Sequence, residues 1–407
     1  MVRRCGRSVA STSCNSERIL VAETTATAAE PTGKRPGRAK KIVLGIVIAL
    51  VVLVAAAAIA VFALFGHELT TLGSIQKVDD YPLYTMTYDG DYGMDEFLEQ
   101  GGASNDSELI EFVIQRIMKG LPITIDLPDL ACSTFNATTP EGDALFGRNF
   151  DLEYSPGMLV RTTPEDGYAS VSMVNLGFLG YGEDKMPDDL VSSLTALAAP
   201  YAPLDGMNEA GLGVGVLLID TDPTDQQTNK VDITTTTAIR LMLDTCATVD
   251  EAVALLERYD MHSSANSCYH FQIADASGDS AVVEYIGDEM SVLEPGDATT
   301  MGELSGSAGV AYQAATNFLL TPGEYDFGGG QDRYEVLMGT LAEHEGVLTE
   351  DEAMGLLQGV SRAVQIHDDG SVFQTQWSCV YNLDDLSASI IMGGKYDEPA
   401  YEVSLAE

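Results

Sequence analysis

Three residues near the middle of the chain have the types and spacing to build a nucleophile. In the stretch 130–153, LACSTFNATTPEGDALFGRNFDLE, Cys132 is followed by Arg148 and Asp151. The runs CSTFNA and ALFGRNF read as strands, with Pro140-Glu141-Gly142-Asp143 as the turn between them. Such a hairpin returns the chain beside its own start and brings Arg148 and Asp151 close to Cys132. A guanidinium next to a thiol favours the thiolate, which is the reactive form. A small buried cysteine beside a structural Arg–Asp ion pair fits the same spacing, and the hairpin alone leaves both readings open.

Four further segments follow in order: Asp205-Gly-Met-Asn208-Glu-Ala-Gly-Leu212, the run from His270 to Tyr285, Ala315-Thr-Asn317, and Asp332-Arg333-Tyr334. Together with Cys132-Ser-Thr-Phe and Phe146-Gly-Arg-Asn-Phe-Asp151, they resemble the choloylglycine hydrolases and penicillin V acylases. The related acyl-CoA:6-aminopenicillanic acid acyltransferases share the pattern. These are N-terminal-nucleophile (Ntn) hydrolases, and the resemblance covers roughly residues 130–395. It implies an α+β fold, a four-layer αββα sandwich of antiparallel sheets, and hydrolysis of a linear, non-peptide amide without a cofactor.

The resemblance also implies roles. Cys132 would be the nucleophile and the first residue of the mature chain, freed by autocatalytic scission of the bond to Ala131. Its α-amine would be the general base; an α-amine titrates near pH 7.7–8.0 and accepts a proton near neutrality. Arg148 and Asp151 would orient the amine and polarise the thiol. Asn317 would offer a side-chain N–H to the oxyanion, and Arg333 would stabilise the anionic sulfur. The family's second oxyanion donor lies on the strand after the DGMNE turn, with Asn in bile-salt hydrolases and Tyr in penicillin V acylases. This chain has Leu218 there, so only a backbone N–H can donate and neither substrate subclass is supported. Asn208 is a weaker candidate for substrate binding and reads equally as a turn residue. His270 lies in an apolar strand, and the Ntn scheme needs no histidine. An acyltransferase on the same scaffold, or an anchored binding domain without catalysis, remains an alternative.

The elements that must position these residues are legible as a pattern. Short β-rich runs occupy 132–175, LGVGVLLI reads as a buried strand, and TTTAIRLMLDTC and VDEAVALLERY read as helices, the second opened by a Thr248-x-x-Glu251 capping box. CYHFQIAD and SAVVEYIG form a hairpin. DRYEVLMGTLAEH and EDEAMGLLQGVSRA read as helices, the latter behind Thr349-x-x-Glu352, and WSCVYNL and SASIIMG as a closing strand pair. Neighbouring strands are close in sequence, which favours antiparallel sheets. Residues 327–331, FGGGQ, lack the Lys-Ser/Thr ending of a phosphate loop. Cys246 and Cys268 could be buried thiols or a disulfide.

Charge and hydropathy set the context. The 407 residues hold 62 Asp+Glu against 21 Lys+Arg, a formal net charge of −41, which excludes a cationic nucleic-acid surface. No Cys-x-x-Cys pair or His-rich cluster suggests a metal. Residues 42–66 carry no charge; as a helix they would be roughly 37 Å long, enough for a hydrocarbon core of about 30 Å. Lys34, Arg35, Arg38, Lys40 and Lys41 precede them, so the positive-inside rule places the N-terminus in the cytoplasm and the remainder outside. A signal peptide cut near Val61-Phe62-Ala63 is the competing reading. The expected organisation is a disordered basic tail (1–41), a transmembrane helix (42–66), an extracytoplasmic stalk or propeptide with an amphipathic helix over 107–119 (67–131), and an Ntn-hydrolase domain (132–407). Expected partners are a small-molecule amide and, through one helix, a membrane; the oligomeric state stays open.

Overall fold

The computed structural model describes residues 38–120, 131–219, 221–302, 309–323, 328–366 and 372–406. Most of the tail 1–41, the residues just before Ala131 and part of the glycine-rich loop lie outside these ranges. The chain divides into two compact units, Met1–Val61 and Phe62–Glu407. The first contains most of helix α1 (Arg38–Gly73). Its window Lys40–Ala57 has mean hydropathy 2.5 and none of it is buried, so by length and composition this helix can cross a membrane.

In the second unit α1 is followed by β1 (Gln76–Asp79), β2 (Leu83–Asp89), α2 (Met94–Glu99) and α3 (Asp106–Arg116). Then come β3 (Ala131–Thr138), β4 (Ala144–Glu153), β5 (Gly157–Thr163), β6 (Ser170–Asn175), β7 (Pro203–Asn208), β8 (Leu212–Ile219) and β9 (Asp232–Thr234). Helices α4 (Thr235–Thr245) and α5 (Val249–Leu256) lead into β10 (Asp260–His262), β11 (Cys268–Asp275), β12 (Ser280–Ile286), β13 (Glu289–Leu293) and β14 (Gln313–Ala315). Helices α6 (Gln331–Glu343) and α7 (Glu350–Val360) precede β15 (Gln365–Ile366), β16 (Val372–Asn382), β17 (Ser387–Met392) and β18 (Tyr401–Ser404).

Two large sheets result. One has nine strands in the order β1-β2-β5-β6-β7-β8-β11-β12-β13; the other has seven, β14-β3-β4-β16-β17-β18 with β15 on β16. Helices α4 and α5 pack on the first sheet, through β7, β8 and β11; α6 and α7 pack on the second, through β3, β4, β14 and β16. The sheets face each other where β8 and β11 meet β3 and β4. Close approach there depends on glycine. A Cβ on Gly215 of β8 would come 3.2 Å from the Phe146 ring and 3.3 Å from the Thr134 methyl on the opposite sheet.

The predicted strands and helices of residues 132–407 are present, but the expected stalk is not a stalk. Residues 76–89 extend the first sheet: β2 pairs with β5 in parallel from Leu83↔Gly157 to Asp89↔Thr163, and β1 pairs with β2. Parallel pairing cannot be read as a local hairpin signal, which is why the pattern concealed it. The helix expected over 107–119 forms as α3, with Leu109 and Val113 buried. Its contact face also includes Phe112, which meets the rings of Phe97 and Tyr201 at 5.2 and 5.8 Å. Tyr92 is buried, donates its hydroxyl to Asp244 of α4, and lies under the Arg240 guanidinium. Of the two capping boxes, Thr349/Glu352 closes in both directions. In the other, Thr248 receives the Glu251 N–H while the Glu251 carboxylate takes the Ala247 N–H instead.

Burying Leu83, Met86 and Phe97 contributes about 1.5–3 kcal/mol per side chain. A chain beginning at Cys132 loses these contacts and bares the edge of β5. Expressed alone it is expected in the insoluble fraction, and co-expression of residues 62–131 as a separate chain is expected to restore a soluble complex, read by co-purification.

Candidate active site

The predicted hairpin forms with the register Ala131↔Asp151, Cys132↔Phe150, Ser133↔Asn149 and Thr134↔Arg148. Because side chains alternate, this register sorts the candidates onto two faces. Cys132, Thr134 and Arg148 look toward the first sheet. Ser133, Asn149 and Asp151 look toward α6 and α7. Arg148 and Asp151 therefore flank Cys132 from opposite sides of β3 and β4.

On the inter-sheet face Arg148 is fully buried and its Nε lies 3.4 Å from Asp205 Oδ2. Asp205 also receives Trp377 Nε1–H at 3.1 Å and the Tyr381 hydroxyl at 2.5 Å. Trp377 stacks on Phe150, the cross-strand neighbour of Cys132, with ring centroids 3.9 Å apart. Asp205 thus orients Arg148, whose Nη1 and Nη2 are buried and, among the described residues, have no oxygen or nitrogen acceptor, leaving the fork to the Cys132 sulfur. Burial works to lower the Arg148 pKa, but the facing Cys132 thiol and Asp205 carboxylate leave it raised overall.

On the helix face, Arg333 reaches from the first turn of α6 into the back of β3. Its Nη1 donates to the Cys132 carbonyl at 2.6 Å, to Ser133 Oγ at 2.6 Å and to Asp151 Oδ2 at 3.3 Å. Its Nη2 donates to Asn317 Oδ1 at 2.7 Å. Thr375 Oγ1 donates to the other Asp151 oxygen at 2.6 Å. Asp151 is raised from the usual carboxylate range by burial, against the pull of Arg333.

Asn317 follows β14 and closes the cluster. Its Oδ1 accepts the Cys132 N–H at 2.7 Å, and its Nδ2 donates to the Leu218 carbonyl at 2.8 Å. That fixes the amide orientation and leaves one Nδ2 hydrogen without a partner among the described residues. Leu218 stands opposite Tyr269 of β11, while the pairing of β7 with β8 ends at Gly215. In an antiparallel strand the N–H and C=O of one residue point the same way. The Leu218 N–H therefore faces the Asn317 side as well. Cys132 itself is buried; burial pushes its thiol above the ordinary range, Arg148 pulls it down, Asp151 pushes it up, and Arg333 pulls it down. In the uncut chain the sulfur rests as a neutral thiol.

Cys132, Arg148, Asp151, Asn317 and Arg333 are thus brought together. Asn208 is not among them: its Nδ2 donates to the carbonyls of Leu243 and Cys246, and its Oδ1 accepts the N–H groups of Ala210 and Leu212. With both amide ends spent on backbone, it ties the β7–β8 turn to the end of α4 and has no group left for a ligand. Cys246 and Cys268 are free thiols, so no disulfide joins them. Among the described residues no group of three or more His, Cys, Asp or Glu could hold a metal. Sequence reasoning assigned no part to Asp205, Trp377, Tyr381 or Thr375. Asp205 was visible as the acid opening the DGMNE turn; Trp377 and Tyr381 read only as strand residues, and Thr375 fell outside the strand assigned there.

Residues 132–303 match the family of linear amide C–N hydrolases, choloylglycine hydrolase family. The matched segment belongs to that family. The match begins at Cys132, the residue whose thiol, N–H and carbonyl the cluster addresses. The match over that segment indicates a hydrolase acting on carbon–nitrogen bonds in linear amides. Similar solved structures include a mutant conjugated bile acid hydrolase from Clostridium perfringens, 17% identical over 68% of this chain and 92% of that one, TM-score 0.47. A penicillin V acylase from Agrobacterium tumefaciens is 18% identical over 68% and 87%, TM-score 0.44. A Caenorhabditis elegans N-acylethanolamine-hydrolyzing acid amidase ortholog is 14% identical over 62% and 93%, TM-score 0.37. No curated protein is significantly similar in sequence.

Asp205→Asn would keep an acceptor for Arg148 and Trp377, which share Oδ2, only by turning its NH2 to the Tyr381 hydroxyl, and would leave a buried guanidinium without its anion. A loss of roughly 3–5 kcal/mol is expected, read as a lower urea midpoint at unchanged slope.

Proposed function

We propose that this chain is a membrane-anchored, extracytoplasmic Ntn amidase, activated by self-cleavage before Cys132, that hydrolyses a non-peptide linear amide. The carrying observation is the convergence on one residue: the family match starts at Cys132, and Asn317 and Arg333 hold its backbone while Arg148 faces its sulfur. The apolar helix and the basic residues before it support the anchor and its orientation.

Processing begins when the Cys132 thiol attacks the Ala131 carbonyl carbon. The C–N bond breaks, the nitrogen takes the thiol proton, and a thioester remains. Water hydrolyses that ester, releasing the Ala131 carboxylate and leaving Cys132 with a free α-amine. In turnover the amine takes the thiol proton and the thiolate attacks the substrate carbonyl. The free Nδ2 hydrogen of Asn317 and the Leu218 N–H receive the oxyanion. Collapse expels the amine product with the proton held by the α-ammonium. Water, deprotonated by the same amine, then releases the acid and regenerates the thiol. Arg148 and Arg333 supply fixed positive charge that lowers the barrier to thiolate formation.

The anchored fragment stays part of the enzyme. The β2–β5 pairing, the buried Tyr92 and the aromatic contact of Phe112 with Tyr201 hold the segment from β2 to α3 on the catalytic unit after the bond is cut. The substrate class is an N-acyl amino acid, a bile-salt conjugate or a penicillin-like side chain; Leu218 in place of a polar side chain leaves the choice to assay.

The test is an anti-C-terminal blot of membranes with N-terminal sequencing, followed by an amide panel scored for released amine. Wild type is expected as a fragment beginning at Cys132 that resists carbonate and leaves the membrane in urea. Cys132→Ala is expected to remain full length, with turnover down by roughly 10³-fold or more. A full-length wild type that retains activity would sink the processing scheme, and product transfer to an added amine instead of water would favour an acyltransferase.

A further inference from the structure

Behind Asn317 sits a buried histidine–glutamate pair that the catalytic scheme does not use. His270 on β11 and Glu284 on β12 are cross-strand partners, and neither is exposed to solvent. His270 Nδ1 lies 3.0 Å from Glu284 Oε1, and His270 Nε2 lies 2.6 Å from the carbonyl oxygen of Thr316, the residue before Asn317. Glu284 also receives the N–H groups of Leu320 and Thr321, each at 2.8 Å. The pair therefore grips the 316–321 segment at both ends. Thr316 Oγ1 ties the same segment to the Gly330 carbonyl, where α6 begins one turn before Arg333.

The ring's protonation follows from its partners. A carbonyl oxygen cannot donate a hydrogen bond, and a carboxylate that accepts two peptide N–H groups is held in its ionised, acceptor-only form. Burial alone would push the Glu284 carboxyl up, but His270 and the two N–H groups bring it below the ordinary range. Both ring nitrogens then face acceptors, and a neutral imidazole has only one N–H. Both nitrogens are also engaged away from Cys132, which removes His270 as a base for the thiol.

Resting on the amidase reading above, we propose that His270 is a positioning residue: an imidazolium pin, balanced by Glu284, that holds the Thr316–Asn317 peptide so that the Asn317 carboxamide meets the Cys132 N–H and the oxyanion. The geometry explains why a histidine is kept in an apolar strand. β11 belongs to the first sheet and β14 to the second, so a rigid two-ended donor spans the gap between sheets at the depth of the site. Gln272, two residues along the same face, spans it again by donating to the Gln313 carbonyl at 3.1 Å. Among the described residues the other titratable groups set against the pair are the Cys268 thiol on β11 and the Tyr334 hydroxyl on α6, both raised chiefly by burial.

The test uses full-length protein in detergent. Histidine-selective 15N NMR on the Cys132→Ala chain is expected to show at neutral pH a resonance pair with both nitrogens protonated that disappears in the His270→Gln version. In the otherwise wild-type chain, His270→Gln is expected to slow self-cleavage and kcat by about 10²-fold with KM nearly unchanged, the size expected for a misplaced catalytic amide. Glu284→Gln keeps the shape but removes the balancing charge, so the alkaline limb of the kcat profile should move to lower pH; a merely structural residue would lower thermal stability without moving that limb. A neutral His270 ring, or a Glu284→Gln profile that coincides with wild type, would overturn the pin. The NMR arm needs no turnover: an inactive wild type with a doubly protonated ring would sink the amidase reading and leave the charge state standing.

Discussion

Four charged side chains are buried around one sulfur, and the fold has to satisfy all of them. Arg148 and Arg333 approach Cys132 from opposite faces of the same hairpin, each with a carboxylate of its own, Asp205 and Asp151. Charges withdrawn from water persist only when paired and hydrogen-bonded. The surrounding elements meet that requirement: Trp377 and Tyr381 of β16 complete Asp205, Thr375 of the same strand completes Asp151, and α6 is set so that Arg333 enters from its first turn. The strand β16, central in its sheet, therefore serves both sides of the site at once.

That lattice leaves a small set of uncommitted groups, among them the ones the chemistry needs. The Arg148 fork faces the thiol without an oxygen or nitrogen acceptor, the Asn317 amide keeps one hydrogen, and the Leu218 N–H points past the end of β7. Among the described residues Arg333 Nε and Thr134 Oγ1 are also buried without a partner, while the carboxylates of Asp151 and Asp205 are each fully engaged. Asn208 shows the contrast: a polar residue in the same motif as Asp205, spent on four backbone partners, stabilises the turn and contributes nothing to a ligand.

The segment before Cys132 has a double character. By sequence it precedes Cys132 and is the part that the proposed self-cleavage would separate. By structure it supplies two strands of the nine-stranded sheet and a set of buried aromatic side chains. A covalent cut in such a place separates chains without separating surfaces, because the β2–β5 ladder and the Tyr92 contacts do not depend on the bond between Ala131 and Cys132.

The local chemistry of this protein was written in its sequence. The hairpin around Cys132, the helices α4 to α7 and the apolar span each follow from hydrophobic period, turn residues and caps that lie within a few positions of one another. The five clustered site residues were likewise legible, because each sits in a short segment of recognisable type. Tertiary structure alone decided the rest: that β2 joins β5 in parallel across some seventy intervening residues, that Arg148 and Asp151 lie on opposite faces of the hairpin, and that Trp377, Tyr381 and His270 serve the site from other strands. These are pairings between residues far apart in the chain. Strand register and sheet stacking fix them, and neither leaves a local trace, since the same tyrosine or histidine satisfies an apolar strand pattern whether it fills a core or holds a carboxylate.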